Sequence, residues 1–476
     1  MRSNYVQMSL PDIYRGVENA LESDKPLLFR LLDEHIDWSE IIPFAFYHAF
    51  YKRFGRSRAF HLESFLRMLL VQRIFHFTED SQLLNVLRCC REMRDFCGLH
   101  KVPDASKLTR FKQEFCDFLR QVFERLVELT EPVCREMDAA LADMLIKDTT
   151  GIESYVAEYN PKFSMLKQRQ AKYCAKVNPD FDAEKGRHAL MPQAAQSNSE
   201  VKYEYINGHY CYVQKAAVLT NGLGIVRHLD LLDQDFRLRH PEVPSEKRTK
   251  DPKVDKEIGD STALKPVLRD FRAAHPTLRY GTFAGDSAFD SYDNYTFLLK
   301  EYGFKQAVVP LNPRNSAPFD ANECNEHGTP ICPKTKEPFR YVGICQGKHR
   351  SKRIKFVCPK AKKSGNTLRC GCEDPCTSSK YPRCAYVYPD KDLRLYPGIS
   401  RDDPMFDALY KCRAAVERSI SSFKGSLCLD GRKTSNVLTT KADLFFAGIT
   451  QLVCVLLAGR LNDHSLARRT RALLAA

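Results

Sequence analysis

Residues 211–232, CYVQKAAVLTNGLGIVRHLDLL, decide the fold. Residues 211–220 alternate in the period of two that sends successive side chains to opposite faces of a strand. Asn221-Gly222 is a dipeptide suited to a tight hairpin, because both residues tolerate positive φ, and residues 225–232 return as a second strand. Upstream, ADMLIKDTT (142–150) is a short apolar run that ends in an acid, the pattern of a buried strand. Downstream, STALKPVLRDFRAAH (261–275) has apolar residues at helical spacing, RYGTFAGDSAF (279–289) is extended, YDNYTFLLKEYG (292–303) is helical and FKQAVVPL (304–311) is extended. Three strands joined by hairpins, then alternating helix and strand, predict a mixed α/β domain.

Before this block the chain reads as helical. HLESFLRMLLVQRIFHF (61–77) and QLLNVLRCCREMRDFCGL (82–99) carry apolar residues three to four apart, the second closed by Gly98, and SKLTRFKQEFCDFLRQVFERL (106–126) is basic and amphipathic. After the block, residues 313–400 lack helical periodicity and hold eight of the 18 cysteines, at 324, 332, 345, 358, 370, 372, 376 and 384. Residues 345–369 contain nine Lys and Arg and no acid. A reduced, cysteine-dense, basic module is most simply a zinc-stapled finger, with Cys358, Cys370, Cys372 and Cys376 as the ligand set. Metal-free thiols and disulfides remain the alternatives there.

At 476 residues there is room for about two to four domains. With 73 Lys and Arg against 59 Asp and Glu, a net charge of +14 and a pI near 9.0, polyanions are the expected partners, an evenly basic surface being the blander reading. The opening MRSNYVQMSLPDIYRG lacks the apolar stretch of an export signal, and cysteines in an unexported chain are expected to be reduced. The run 444–459 is 16 residues and contains Thr450 and Gln451, which predicts a buried helix and no membrane span.

Near the C-terminal end stands DALYKCRAAVERSISSFKGS (407–426), in which Tyr410, Arg413, Glu417 and Lys424 are offset by three, four and seven. On one helix these offsets gather a phenol, a guanidinium, a carboxylate and an ammonium on one face. The spacing resembles the Tyr-x2-Arg-x3-Glu-x6-Lys signature of bacterial insertion-sequence transposases of the DDE class. The resemblance implies a ribonuclease H-like catalytic domain, with an N-terminal all-helical domain and a cysteine-rich insertion before the Glu-bearing helix. The corresponding divisions are 1–135 (helical, DNA-binding), 136–312 (catalytic, first part), 313–400 (insertion) and 401–476 (catalytic, C-terminal helices).

It also implies a site. Lys147-Asp148-Thr149-Thr150 resembles the family's Asp-x-Thr on the first strand. Gly285-Asp286-Ser287-Ala288-Phe289-Asp290-Ser291 resembles Asp-Gly-x-Tyr-Asp-Ser, with Ser287 and Phe289 as departures. Asp148, Asp286 and Glu417 would then be the catalytic triad and hold two Mg2+ or Mn2+ ions, hard cations that select carboxylate oxygens. Each acid alone has another reading: a strand-end Asp is often a cap, and Glu417 could simply pair with Arg413 or Lys424. Asp260 reads as a cap of the following helix, Asp290 as a turn residue, and His209, His228 and His240 show no metal spacing. Arg413 and Lys424 would hold phosphates and Tyr410 would stack on a base or bond a phosphate. In the helical region Arg56, Arg58, Lys107, Arg110 and Lys112 would contact DNA, the alternative being ordinary surface charges.

The activity so implied is metal-dependent cleavage at the ends of an insertion element, then strand transfer into target DNA. The partners are double-stranded DNA with terminal inverted repeats, target DNA and at least a second copy of the chain on DNA; the setting is the bacterial cytoplasm, at the nucleoid. A domesticated DNA-binding protein, or a structure-specific nuclease, uses the same scaffold without transposition.

Overall fold

A computed structural model describes residues 9–11, 14–15, 25–52, 57–244, 258–312, 315, 324–325, 327, 329–347, 351–365, 367–388 and 393–469. After short helices from Leu27–His35 onward come α1 (Leu62–Ile74), α2 (Asp80–Cys89), α3 (Ala105–Glu114) and α4 (Cys116–Met137). Gly98 has a φ of 63°, the left-handed conformation that stops the preceding helical stretch. In α4, Leu119, Val122, Phe123, Leu126 and Val127 recur at the i, i+3, i+4 spacing that makes one apolar face, and all are buried.

The sheet contains β1 (Met144–Glu153), β2 (Ala194–Ala195), β3 (Asn198–Ile206), β4 (His209–Thr220), β5 (Val226–Leu231), β6 (Thr282–Ala284) and β7 (Gln306–Val308). Its order is β2-β3-β4-β1-β6-β7, with β5 pairing β4 beyond the end of β3. The β5-β4-β1 side is antiparallel, and β1, β6 and β7 are parallel. α5 (Leu264–Ala274) makes the crossover between β5 and β6.

Alternation along the strands builds two cores. Leu145, Ala217, Leu219, Phe283 and Ala307 face Leu264, Val267, Leu268 and Phe271 of α5. Met144, Ile146, Ala216, Val218 and Val308 face the opposite layer, which holds α4, α7 (Ala414–Lys424) and α8 (Val437–Arg460); α6 (Pro404–Lys411) precedes α7. Because β4 and β5 are covered on both faces, they are buried almost throughout.

The expected buried helix is α8, 24 residues long and extending well beyond 444–459. By length and a mean hydropathy of 1.8 it could cross a membrane, yet 89% of its apolar window is buried inside the protein. It packs on α4, α1 and α3, so the N-terminal helices and the sheet share one continuous core. Each large aliphatic side chain buried there contributes roughly 1.5–3 kcal/mol.

The hairpin after β4 differs from the expected Asn-Gly turn. The loop runs from Asn221 to Ile225, with Gly224, not Gly222, at positive φ (75°) and the Asn221 carboxamide accepting from the N–H groups of Leu223 and Ile225. A Cβ on Gly224 would lie 3.0 Å from the Ala415 carbonyl oxygen, so this glycine lets α7 dock on the sheet. Strand β3 was absent from the sequence reading; its signal is Asn207-Gly208, both at positive φ, between alternating VKYEYI and HYCYV.

Between β7 and α6 lies a small antiparallel sheet, β12-β9-β8, formed from β8 (Arg340–Cys345), β9 (Arg353–Val357) and β12 (Cys384–Val387), beside the hairpin β10 (Ala361–Ser364) and β11 (Thr367–Cys370). Asp290, expected in a turn, is buried and anchors the return of this segment. It pairs with Arg394 at 2.7 Å and accepts from the Tyr295 hydroxyl and the Asn312 N–H.

Candidate active site

Strand register places the first two acids side by side. Ile146 of β1 is opposite Ala284 of β6, and two residues further along these parallel neighbours stand Asp148 and Asp286. Asp286 also accepts from the Ala288 N–H where the chain leaves β6, so a capping role and a place at the site coexist.

Glu417 enters from α7, which packs on β1 and β4. The guanidinium of Arg413 joins the sets, 2.5 Å from a Glu417 oxygen and 3.7 Å from an Asp148 oxygen. Asp148 is 23% exposed and Glu417 51% exposed, so the three acids open to solvent on one side.

The electrostatics are those of concentrated, incompletely compensated negative charge. Burial pushes the Asp148 carboxyl up to about 6, and repulsion from Asp286 and Asp260 adds to it, against the Thr149 N–H and Arg413. Burial likewise raises Asp286, with Asp260 adding and Ala288, Arg413 and Lys147 opposing. Asp148 and Asp286, oxygen donors in a site of concentrated negative charge, suit hard divalent cations, and Glu417 is tied to them through Arg413.

Asp260 does not cap α5, whose first turn starts at Leu264 without a side-chain cap. Its carboxylate instead pairs with Lys215 at 2.6 Å and accepts from the Thr149 hydroxyl at 2.6 Å. Lys147 donates to the Asp260 carbonyl and lies over the Phe289 ring; burial pushes its ammonium down to about 8. Lys147, Lys215 and Asp260 thus form the floor beneath Asp148 and Asp286, a role that strand-end spacing did not signal.

The signature is bent. Helix α6 ends at Lys411, Cys412 and Arg413 form a tight joint, and α7 begins at Ala414. Tyr410 stacks on Phe406 and lies 5.9 Å from the Arg413 guanidinium, so Tyr410, Arg413 and Glu417 stay together. Lys424 does not join them. Burial lowers its pKa, and the carboxylates of Asp430 and Glu153 oppose that shift. Glu153 is five residues beyond Asp148 on β1, roughly 16 Å at about 3.3 Å per residue. Among the described residues, Glu153, His209 and Cys211 bring potential ligand atoms within 4.8 Å of one another, a grouping that strand pairing makes and that histidine spacing missed. His228 is buried, its pKa lowered to about 4 by burial, and His240 is buried against Asp270 at 2.9 Å.

In the helical layer Arg58, Lys107 and Arg110 line one recess together with Phe50, Phe60 and Phe115. Arg58 pairs with Glu114 at 3.0 Å, whereas Lys107 and Arg110 are exposed. Lys112 is a correction: it is fully buried, 3.0 Å from Asp443 and 3.1 Å from Asp80, in a network with Arg73 and Arg432. A lysine on the inward side of α3 neutralises buried acids and has no path to a phosphate. Arg56 lies outside the described residues.

Cys358, Cys370 and Cys372 are neighbours, and Cys332 joins Cys358 and Cys372 in one small core. All cysteines are free thiols.

Residues 17–114 match the family model described as Transposase domain (DUF772). A cryo-EM structure of the piggyBac transposase synaptic complex with hairpin DNA aligns with 94% of this chain and 79% of that one, at 11% identity and a TM-score of 0.39. No curated protein matches the chain.

Proposed function

We propose that this chain is a DDE-class transposase with a ribonuclease H-like catalytic domain that cleaves the ends of an insertion element and joins them to target DNA. The observation that carries this reading is the register match of Asp148 and Asp286 on adjacent parallel strands, with Glu417 joined to Asp148 through Arg413. The match of residues 17–114 to a transposase-domain model supports it independently.

Asp148, Asp286 and Glu417 would hold two Mg2+ or Mn2+ ions. Such ions activate the attacking oxygen and neutralise charge on the scissile phosphate. Asp260, fixed by Lys215 and Thr149, keeps negative potential beneath the pair and orients Thr149, whose N–H holds one Asp148 oxygen at 2.8 Å. Arg413 supplies a bidentate-capable cation that can exchange carboxylate for phosphate as DNA arrives, and Tyr410 offers a ring face beside it. Lys424, displaced along β1, grips a phosphate away from the scissile one. Lys107 and Arg110, with Arg58 behind them, contact the element ends, and two chains bring two ends together.

The test supplies labelled DNA carrying the inverted repeats that flank the gene, with Mg2+, and follows nicking and strand transfer separately. Joining to a target plasmid is the expected result. Nicking of branched DNA without joining would establish a structure-specific nuclease, and binding without cleavage a domesticated DNA-binding protein; either outcome refutes the transposase reading.

A further inference from the structure

Strand pairing explains why Glu153, His209 and Cys211 stand together. Residues 209 and 211 of β4 are two apart, so their side chains share one face. Glu153 of β1 is opposite Val213 in the antiparallel register, which puts its side chain on that same face. His209 opens β4 directly after Asn207-Gly208, both at positive φ, and pairs with Ile206 across the turn, so the imidazole is carried at the tight end of a hairpin. A carboxylate, an imidazole and a thiol thereby bring ligand atoms within 4.8 Å of one another.

The local bonds call for a cation among them. His209 Nε2 lies 3.0 Å from a Glu153 oxygen, and Nδ1 lies 3.4 Å from the Asn207 carbonyl. A carbonyl only accepts, so the proton of the neutral ring belongs on Nδ1, and Nε2 then turns a lone pair toward a carboxylate. Two acceptors in contact repel unless a cation joins them, either a second proton on the ring or a metal ion. The separation suits a metal, since N and O ligands at about 2.0–2.2 Å on a tetrahedral centre stand roughly 3.3 Å apart. An Nδ1–H held by a backbone carbonyl is also the usual support of a histidine that ligates through Nε2.

Cys211 supplies the softer donor. It is buried, and its hydrogen bonds to the Ile206 and His209 carbonyls are long, at 3.8 and 3.9 Å. Lys424 and Asp430 flank the group, one of each sign, and one Asp430 carboxylate oxygen is buried with no hydrogen-bond partner among the described residues. With those two charges opposed, Glu153 is left to balance an ion.

We propose that Glu153, His209 and Cys211 bind one Zn2+ ion through the carboxylate, Nε2 and the sulfur, at a site separate from the acids around Asp148. Sulfur and imidazole select zinc over Mg2+, which takes oxygen ligands. The Glu153 and His209 side chains are 36% and 53% exposed, so the fourth position opens to water. The ion ties the end of β1 to the hairpin of β3 and β4 and puts a further positive charge beside Lys424. The inference does not rest on the transposase reading.

The test uses the full-length protein, reduced and stripped of metal, with Mg2+ in excess to occupy the acid site. Zn2+ uptake is read by competition with a chromophoric chelator. Other thiols of the chain can also take up zinc, so the measurement is the difference between wild type and variants. His209→Ala and Glu153→Gln alter partly exposed side chains, which spares the fold, and each should bind about one ion fewer than wild type. Cys211→Ala should lose the same ion, whereas Asp148→Asn should match wild type. With Co2+ in place of Zn2+, the spectrum of wild type minus that of His209→Ala should show sulfur-to-cobalt charge transfer from one thiolate and the visible bands of a four-coordinate ion. Equal zinc uptake by wild type and His209→Ala would overturn the proposal and leave an ordinary Glu153–His209 ion pair. So would a difference spectrum without the sulfur band, or loss of the same ion in Asp148→Asn.

Discussion

Asp148→Asn separates an acid kept for metal from an acid kept for structure. Burial and two neighbouring acids raise the Asp148 carboxyl from an ordinary 3.8 to about 6, so its ionised form is disfavoured in the folded, metal-free chain. A difference of about two units corresponds to roughly 3 kcal/mol at about 1.4 kcal/mol per unit, an upper value since the side chain is partly open to solvent. The sign follows from linkage. The folded state binds the proton more tightly than the unfolded one, so the penalty is in full force above about pH 6 and disappears as pH falls toward 3.8.

Asparagine keeps the shape and removes the charge. At pH 7.5 without metal, Asp148→Asn should therefore be more stable than wild type, by roughly 1–3 kcal/mol. For 476 residues unfolding together, at about 2.1 cal/mol/K each, that is on the order of 1–3 °C in Tm. The difference should close as pH falls to about 4. Millimolar Mg2+ should raise the wild-type Tm and leave the variant unchanged, while cleavage by the variant is abolished and end binding persists. Scanning calorimetry across pH, with and without Mg2+, checks all of this. A variant less stable than wild type at pH 7.5, or one with the same Mg2+ shift, would refute the argument that these carboxylates are held apart for metal.

The same raised acid predicts that Mg2+ affinity, measured by calorimetry at constant ionic strength, falls as pH drops below about 6, because the ligand must lose its proton first. Lys107→Ala should weaken end binding and reduce the slope of log K against log salt by about 0.9, whereas Lys112→Ala should leave the slope of any folded protein unchanged and destabilise it by about 3–5 kcal/mol, since it strands Asp443 and Asp80. Lys424→Ala should likewise lower the salt slope by about one contact with at most a small change in the single-turnover cleavage rate at saturating DNA. A loss of tenfold or more in that rate would move Lys424 to the scissile phosphate. Arg394→Ala should cost about 3–5 kcal/mol by leaving Asp290 buried and unpaired, read by chemical unfolding and by faster proteolysis between β7 and α6.

What could be read from the chain was whatever short-range periodicity controls. Alternation in 211–220, the apolar run 142–150 and the returning stretch 225–232 gave three of the sheet strands, three-to-four spacing gave α1, α2 and α4, and an unbroken apolar run gave the interior of α8, because each of these patterns is set by neighbours a few residues away. Asp148 was expected at a strand end and instead lies within β1, five residues before its last residue; Asp286 follows β6 as expected, and Glu417, which only the spacing of its signature marked, lies in the first turn of α7.

What escaped was set by contacts between distant residues. Lys112 looks like its neighbours Lys107 and Arg110 on a basic helix, and only Asp443, brought in on α8, shows that it points inward. Asp260 follows the form of a helix cap, yet the lysine that claims it is on β4. Cys332 is 26 residues from Cys358, too far for a local spacing to pair them, and it is the fold of two Cys-Pro turns onto one small core that brings them together. In all three cases the deciding partner is an opposite charge or a second thiol. Buried charges and thiolates must be compensated, so wherever a local pattern leaves such a group on an inward face, the chain has to supply its partner from elsewhere. Lys112 on the inward side of α3 and Cys332 in the small core are such groups, and their neighbours, Asp443 on α8 and Cys358 after β9, come from distant parts of the chain.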